Sequence, residues 1–323
     1  MFDRDCLVKG LPLYKAALPG IPCQNARGYL AHYALLELAE SSEYRIGRMV
    51  LDELSVTLQS FAHTDDNHSR GTVVIVHGYM DHMGLYQKLI TTLYKTGYDL
   101  LCYDLSGHGL SDGNPLAVDD FKHYATQLSE LISKVGPSLN GPLHMIGQST
   151  GAAVLIAHQL LFSSQSMPQQ GVQVMLAPLI RPNLWRSIKR KFSLLKYVLK
   201  RVPRQYSQNS HDAAFIRFIE ERDSLQHRQI PVSWIGAMLS WGDWVEQHPP
   251  VKGRVYMIQG TDDSTVDWQH NLGVMGRLYP DLDLTLIEQA KHHLVNESDR
   301  YRLQVFQRIL QILAEWENKN GQP

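Results

Sequence analysis

The chain lacks several features that would assign it to a class at once. It has only three cysteines, Cys6, Cys23 and Cys102, an odd count that supplies no disulfide framework. Cys102 sits in an apolar run and reads as an inert core thiol. No apolar run approaches the ~20 residues needed to cross a bilayer. Met1-Phe2-Asp3-Arg4-Asp5 also lacks the charged-then-apolar pattern of a secretory signal. The expectation is a soluble, cytoplasmic protein that touches a membrane at most peripherally. No excess of one charge exists either. With 31 Lys and Arg against 32 Asp and Glu, the net charge of −1 steers the chain toward neither nucleic acid nor membrane. Glycine-rich phosphate cradles are absent, so no nucleotide is implied. His77 and His108 have no Cys or Asp partner at metal-ligand spacing, so neither metal nor cofactor is expected.

That charge balance hides a local asymmetry. No Asp or Glu occurs from Leu131 through His211, while Lys and Arg cluster between Arg181 and Arg204.

The 323 residues, 44% hydrophobic, suffice for one large α/β domain carrying an insertion, or for two ordinary domains. Prolines 12, 19 and 22 make residues 1–26 read as an irregular arm, followed by a helix over 27–40. Strands are predicted over 45–52 and 54–62. Thr72–Val76 is a continuous β-branched run, as expected of a parallel strand buried on both faces. Helices over 85–95, 121–135, 269–278 and 301–316 alternate with strands over 98–103, 143–146, 172–176, 254–259 and 282–287. This alternation predicts a mostly parallel sheet covered on both sides. One block, about 180–250, is helical in tendency without convincing strands, and reads as a cap inserted over the strand ends. The expected division is an arm and helix (1–44), a first core segment (45–179), the cap (180–250) and a second core segment (251–323).

Gly147-Gln148-Ser149-Thr150-Gly151 lies between a strand-like and a helix-like run. A serine at such a junction is forced onto a sharp turn that exposes its hydroxyl, with glycines letting the two backbones approach. The pentapeptide alone arises by chance in roughly one chain of this length in ten, so its context must decide. In open α/β sheets, chemistry gathers at the carboxyl ends of strands. His77-Gly78-Tyr79 follows the first parallel strand, Ser149 the next relevant one, Gly260–Asp267 a later one, and Glu288–His293 the last. Serine, then acid, then histidine is the expected chain order.

Ser149 needs a base to take its proton, and His292 is assigned that part, with His293 as competitor. Asp263 is assigned to hold the imidazole, with Asp262 and Asp267 as competitors. The backbone N–H groups of Tyr79 and Thr150 are the expected oxyanion donors. His108 reads as a turn-stabilising side chain and His77 as a support for the oxyanion loop.

Four separated segments together resemble one family. His77-Gly78-x-x-Asp81-His82-x-x-x-Tyr86 is similar to a segment of the monoacylglycerol lipases and bacterial lysophospholipases, serine aminopeptidase S33-type members of the α/β-hydrolase superfamily. Asp104–Ser111 resembles their D-x-x-G-H-G-x-S turn, with Ser106 where many relatives carry proline. Gly260–Asp267 resembles G-x-x-D-x-x-[VC]-D, whose register favours Asp263. Ala290-Lys291-His292 with Asn296-Glu297 resembles A-x-H-x-x-x-N-E, which favours His292. The resemblance covers about residues 54–313; it is weak in the cap and absent over the arm. It implies an α/β-hydrolase fold and a serine carboxylic-ester hydrolase acting through an acyl-enzyme on a lysophospholipid or monoacylglycerol.

In the cap, Trp185, Ile188, Phe192, Leu195, Leu199 and Val202 fall on one helical stripe, with cations largely off it. Trp185, Phe192, Trp234, Met238 and Trp241 are the expected roof of an acyl pocket. The cations are read first as solvated and second as contacts to an anionic membrane. Three other functions compete. A proline-releasing aminopeptidase would need a carboxylate pair in the cap, for which Glu220, Glu221 and Asp223 are available. An acyltransferase and a non-catalytic ligand-binding protein are the remaining two.

Overall fold

Consecutive side chains of the strand Thr72–Val76 point to opposite faces, with Val73 and Ile75 entering one apolar core and Val74 and Val76 the other. The computed structural model describes residues 2–64, 69–162, 170–204 and 208–320. Among them the strands are β1 (Glu43–Leu51), β2 (Leu54–Ala62), β3 (Thr72–Val76), β4 (Asp99–Tyr103), β5 (Leu143–Gln148), β6 (Gln170–Leu176), β7 (Arg201–Pro203), β8 (Gln229–Pro231), β9 (Tyr256–Gly260) and β10 (Asp283–Ile287). Eight form one sheet in the order β1-β2-β4-β3-β5-β6-β9-β10. Only β2 runs against its neighbours; the pairings from β4 to β10 are parallel.

The helices Phe121–Val135, Thr150–Phe162 and Trp268–Leu278 cover one face. Gln87–Lys95 and Asp299–Asn320 cover the other. Thr150–Phe162 is buried without a break from Thr150 to His158, which explains its apolar composition all round. This is the α/β-hydrolase arrangement. The strand order turns back between β3 and β5, so the loops after these two strands open a crevice at their carboxyl ends.

Two expectations need correction. The arm is not irregular: helices Arg4–Gly10 and Gln24–His32 bury Leu7, Val8, Ala26, Tyr29 and Leu30 in the first core. Asp3 caps the first of these by accepting from the Cys6 N–H at 2.8 Å. The helix expected over 27–40 is broken at Ala34, whose φ of 55° ends one turn system before Leu36–Glu40 begins the next. The second correction lies between β6 and β9. Besides the helices Trp185–Leu195, Ala213–Arg217 and Val232–Gln247, β7 and β8 pair antiparallel there.

Candidate active site

β5 hands directly into the helix Thr150–Phe162, and Ser149 between them has a φ of 56°, a left-handed conformation that costs a non-glycine residue energy. The surroundings hold it there. Its N–H donates to the Leu176 carbonyl at 2.8 Å, and its own carbonyl accepts from Ala153 and Leu179 at 3.1 and 3.2 Å. A Cβ on Gly151 would lie 2.0 Å from the Val76 carbonyl oxygen, and one on Gly147 would lie 2.5 Å from the Gly151 backbone. Both glycines are therefore required by strand–helix contact.

The Ser149 hydroxyl lies 2.9 Å from His292 Nε2, and His292 Nδ1 lies 2.7 Å from Asp263 Oδ2. Asp263 also accepts from the Thr265 and Val266 N–H groups at 2.8 and 3.1 Å and from Gln259 Nε2 at 3.0 Å. Burial pushes its pKa up, but the His292 ring and these donors outweigh burial and hold it below the ordinary value. An ionised carboxylate only accepts, so His292 carries its proton on Nδ1 and leaves Nε2 free to accept from Ser149.

The competitors are occupied elsewhere. Asp262 is exposed, and Asp267 caps the helix Trp268–Leu278. His293 Nε2 lies 3.2 Å from Asp81. The backbone around His292 is fixed by residues that carry no chemistry: Gln148 Nε2 donates to its carbonyl at 2.9 Å, and the buried Glu297 accepts from the Lys291 N–H at 2.7 Å.

The loop after β3 is tied internally. The Gly78 N–H donates to the Tyr86 hydroxyl at 2.9 Å, and that hydroxyl donates to Asp81 Oδ2 at 2.9 Å. The Tyr79 ring stacks on Trp234, with centroids 3.6 Å apart. Among the described residues, the N–H groups of Tyr79 and Thr150 donate to no protein acceptor, and both residues line the cavity beside Ser149. His77 accepts from the Leu105 N–H at 2.9 Å, bracing this loop against the next. His108 sits against the Ser106 carbonyl at 3.0 Å, and burial depresses its pKa to about 3, which fits a neutral turn support.

The family described as serine aminopeptidase, S33, matches residues 67–299, more than half of the chain. The chain belongs to this family. Within it, the chain is 23% identical over 251 residues to a monoglyceride lipase homolog of Monkeypox virus, covering 75% of this chain and 88% of that protein. It is 29% identical over 98 residues to a monoacylglycerol lipase of Mycolicibacterium smegmatis, covering 29% of this chain and 34% of that one. A soluble variant of monoglyceride lipase from Saccharomyces cerevisiae, solved with a substrate analog, superposes with a TM-score of 0.69 at 18% identity, covering 83% of this chain and 94% of that chain. The S33 chain is thus a monoglyceride-lipase-like α/β hydrolase.

The cavity of this hydrolase, about 330 Å³, is lined in part by Leu179, Ile188, Ile230, Trp234, Ile235 and Met238. Trp234 and Met238, expected in the roof of an acyl pocket, are among these lining residues. Trp185, Phe192 and Trp241 are not in its wall. Trp241 is buried, donates its indole N–H to the Leu179 carbonyl at 2.7 Å and stacks on Phe121. Trp185 packs on Gly242, and Phe192 faces Gly236 and a separate surface cleft. The lining also includes Arg204, Asn209 and Gln226, which periodicity did not flag. The carboxylates considered for an aminopeptidase do not gather there. Glu220 and Glu221 are exposed, and Asp223 is buried against His82. Among the described residues no three His, Cys, Asp or Glu side chains cluster as a metal site.

Proposed function

We propose that the protein is a serine carboxylic-ester hydrolase that acts on single-chain lipids through an acyl-enzyme. The observation that carries this reading is the hydrogen-bonded series Ser149–His292–Asp263, at 2.9 and 2.7 Å, beside two N–H groups that donate to no acceptor among the described residues. His292 takes the Ser149 proton as the hydroxyl attacks the ester carbonyl. The Tyr79 and Thr150 N–H groups receive the developing oxyanion. His292 then returns the proton to the leaving alcohol, and activates the water that frees the fatty acid. The wall of Leu179, Ile188, Trp234 and Met238 suits an acyl chain. Relatives named monoglyceride lipases support a lipid ester over an amide.

The head group divides the reading. Arg204, whose Nη1 donates to Gln226 Oε1, is among the residues lining the cavity, and its charge favours a phosphate-bearing alcohol, hence a lysophospholipid, over neutral monoacylglycerol. Beyond the cavity, Leu194, Tyr197 and Val198 are at least three-quarters exposed amid exposed Arg190, Lys191, Lys196 and Lys200. The stripe residues Trp185 and Ile188 do pack inward, but this second apolar set does not, and with the cations it suits an anionic bilayer surface. No described helix is long and apolar enough to cross a membrane.

A panel of nitrophenyl esters of increasing chain length, with lysophosphatidylcholine and monoolein, tests the reading in wild type and Ser149→Ala. Turnover of medium or long acyl esters by wild type alone is expected. Equal inactivity of both proteins on every ester would end it.

A further inference from the structure

Residues 2–40 precede the segment that the family matches, 67–299, yet they contact the loop after β3 at Tyr33 and the turn after β4 at Arg4. Tyr33 closes the helix Gln24–His32, and its hydroxyl donates to Asp223 Oδ1 at 2.7 Å. Its ring meets the His82 ring edge-on at 4.8 Å, and a Cβ on Gly84 would lie 2.7 Å from it. The Asp223 side chain has no exposed surface. Its Oδ2 lies 3.0 Å from His82 Nε2 and accepts from Gln226 Nε2 at 2.8 Å. The same Gln226 nitrogen donates to the Met80 carbonyl at 3.1 Å. Met80, with a φ of 66°, directly follows Tyr79. An unbroken hydrogen-bonded path thus runs from Tyr33 through Asp223 and Gln226 to the Met80 carbonyl, in the residue that follows the candidate oxyanion donor Tyr79. The second point of contact is Arg4, which donates to the Gly109 and Ser111 carbonyls at 2.8 and 3.0 Å. That turn is bound to the same loop by Asp104, which accepts from both Leu110 and Met83 at 2.8 Å.

We infer that the N-terminal arm is part of the working site and that Tyr33 is a positioning residue for the Tyr79 N–H, acting through Asp223 and Gln226. The left-handed Met80 has its carbonyl held from outside the loop, which fixes the turn two peptide units beyond the Tyr79 N–H and ties that donor to a group 46 residues upstream in the chain. Loss of the Tyr33 hydroxyl leaves the ring packing in place but removes one of the two donors to Asp223 Oδ1, leaving the Leu225 N–H at 3.0 Å, and so loosens the carboxylate that orients Gln226, whose Oε1 also accepts from Arg204. The inference rests on the reading of Tyr79 as an oxyanion donor.

The test compares Tyr33→Phe, Tyr29→Phe and Gln226→Leu in the full chain on a soluble nitrophenyl ester, with active sites counted by fluorophosphonate labelling. Tyr29 is a buried tyrosine of the same arm whose hydroxyl bonds Gln59, off the path. Tyr33→Phe is expected to lower kcat per labelled site about 10-fold with KM nearly unchanged. Tyr29→Phe is expected to lower Tm while keeping kcat. Combining Tyr33→Phe with Gln226→Leu should lower kcat no further than Gln226→Leu alone, because both cut one path. If Tyr33→Phe lowers Tm but keeps kcat, or if the two losses multiply, the arm is structural only and the inference fails. Absence of ester turnover in wild type would instead remove the underlying reading.

Discussion

His293 turns its Nε2 to within 3.2 Å of Asp81, while its neighbour His292 faces Asp263 and Ser149. Two adjacent imidazoles therefore serve two carboxylates on different loops. Burial raises the Asp81 pKa, but the charge and hydrogen bond of His293 prevail and keep it well below the carboxylate range. His292→Ala and Asp263→Asn should each lower kcat by about 10⁴-fold, the first by removing the base and the second by allowing the wrong tautomer. His293→Ala disturbs only the loop carrying Tyr79, and a loss of about 10-fold is expected. Steady-state kinetics per labelled site separates the two classes of effect.

The turn at Ser149 leaves no room for side chains on either flank. Gly151→Ala would drive a methyl group into the Val76 carbonyl, 2.0 Å away, and should cost about 3 kcal/mol or more through forced backbone movement. Ser149→Ala removes no such support and should melt near the wild-type temperature. Thermal unfolding of the two variants checks the contrast.

Trp234 and Trp241 stand two turns apart on one helix and do different work. Trp234→Ala enlarges the cavity wall and removes the stack on Tyr79, so the chain-length optimum should move to longer acyl groups and kcat should fall. Trp241→Ala should cost about 3–5 kcal/mol of stability. It should leave the chain-length optimum unchanged, since its ring fills the core between Phe121 and the Leu179 carbonyl. A chain-length series beside denaturant unfolding distinguishes them.

The buried pair His82–Asp223 makes stability depend on pH. Burial disfavours the imidazolium, yet the Asp223 charge and hydrogen bond win and raise the His82 pKa above its ordinary value. A pKa raised by folding stabilises fully below the unfolded value of about 6.5 and loses that contribution as pH climbs through the folded value. The opposite shift of Asp223, downward, is lost only at acid pH, below the carboxylate range. Wild-type Tm should therefore decline from pH 6 toward alkaline pH. His82→Asn should have a lower Tm throughout and a flatter alkaline slope, as followed by melting at a series of pH values.

Much of this site was readable because parallel strands buried on both faces leave unmistakable apolar runs, and the polar residues directly after them mark the crevice. β3, β5, Ser149 and the loop of Asp263 follow from that logic. The arm resisted it. Its helices Arg4–Gly10 and Gln24–His32 are too short for a clear period, and Pro12, Pro19 and Pro22 between them resemble a loop although Leu7, Leu11 and Tyr29 are buried. The cap failed for another reason. Helical spacing groups Trp185 and Phe192 on one inward stripe, and aromatic content adds Trp241 to the expected roof, but neither signal tells whether inward means the cavity or the core. Arg204 and Gln226 lie in connecting segments without period, and only long-range contacts reveal them.

Capture of the acyl-enzyme tests the central claim most directly. Wild type, Ser149→Ala and His292→Ala would be mixed with a nitrophenyl decanoate, quenched in acid within the first turnovers and digested for mass spectrometry. The account predicts a decanoyl group on the peptide containing Ser149 in wild type, none in Ser149→Ala, and far slower appearance in His292→Ala. Continued release of nitrophenol with Ser149 unmodified, or with the acyl group on another residue, would contradict it.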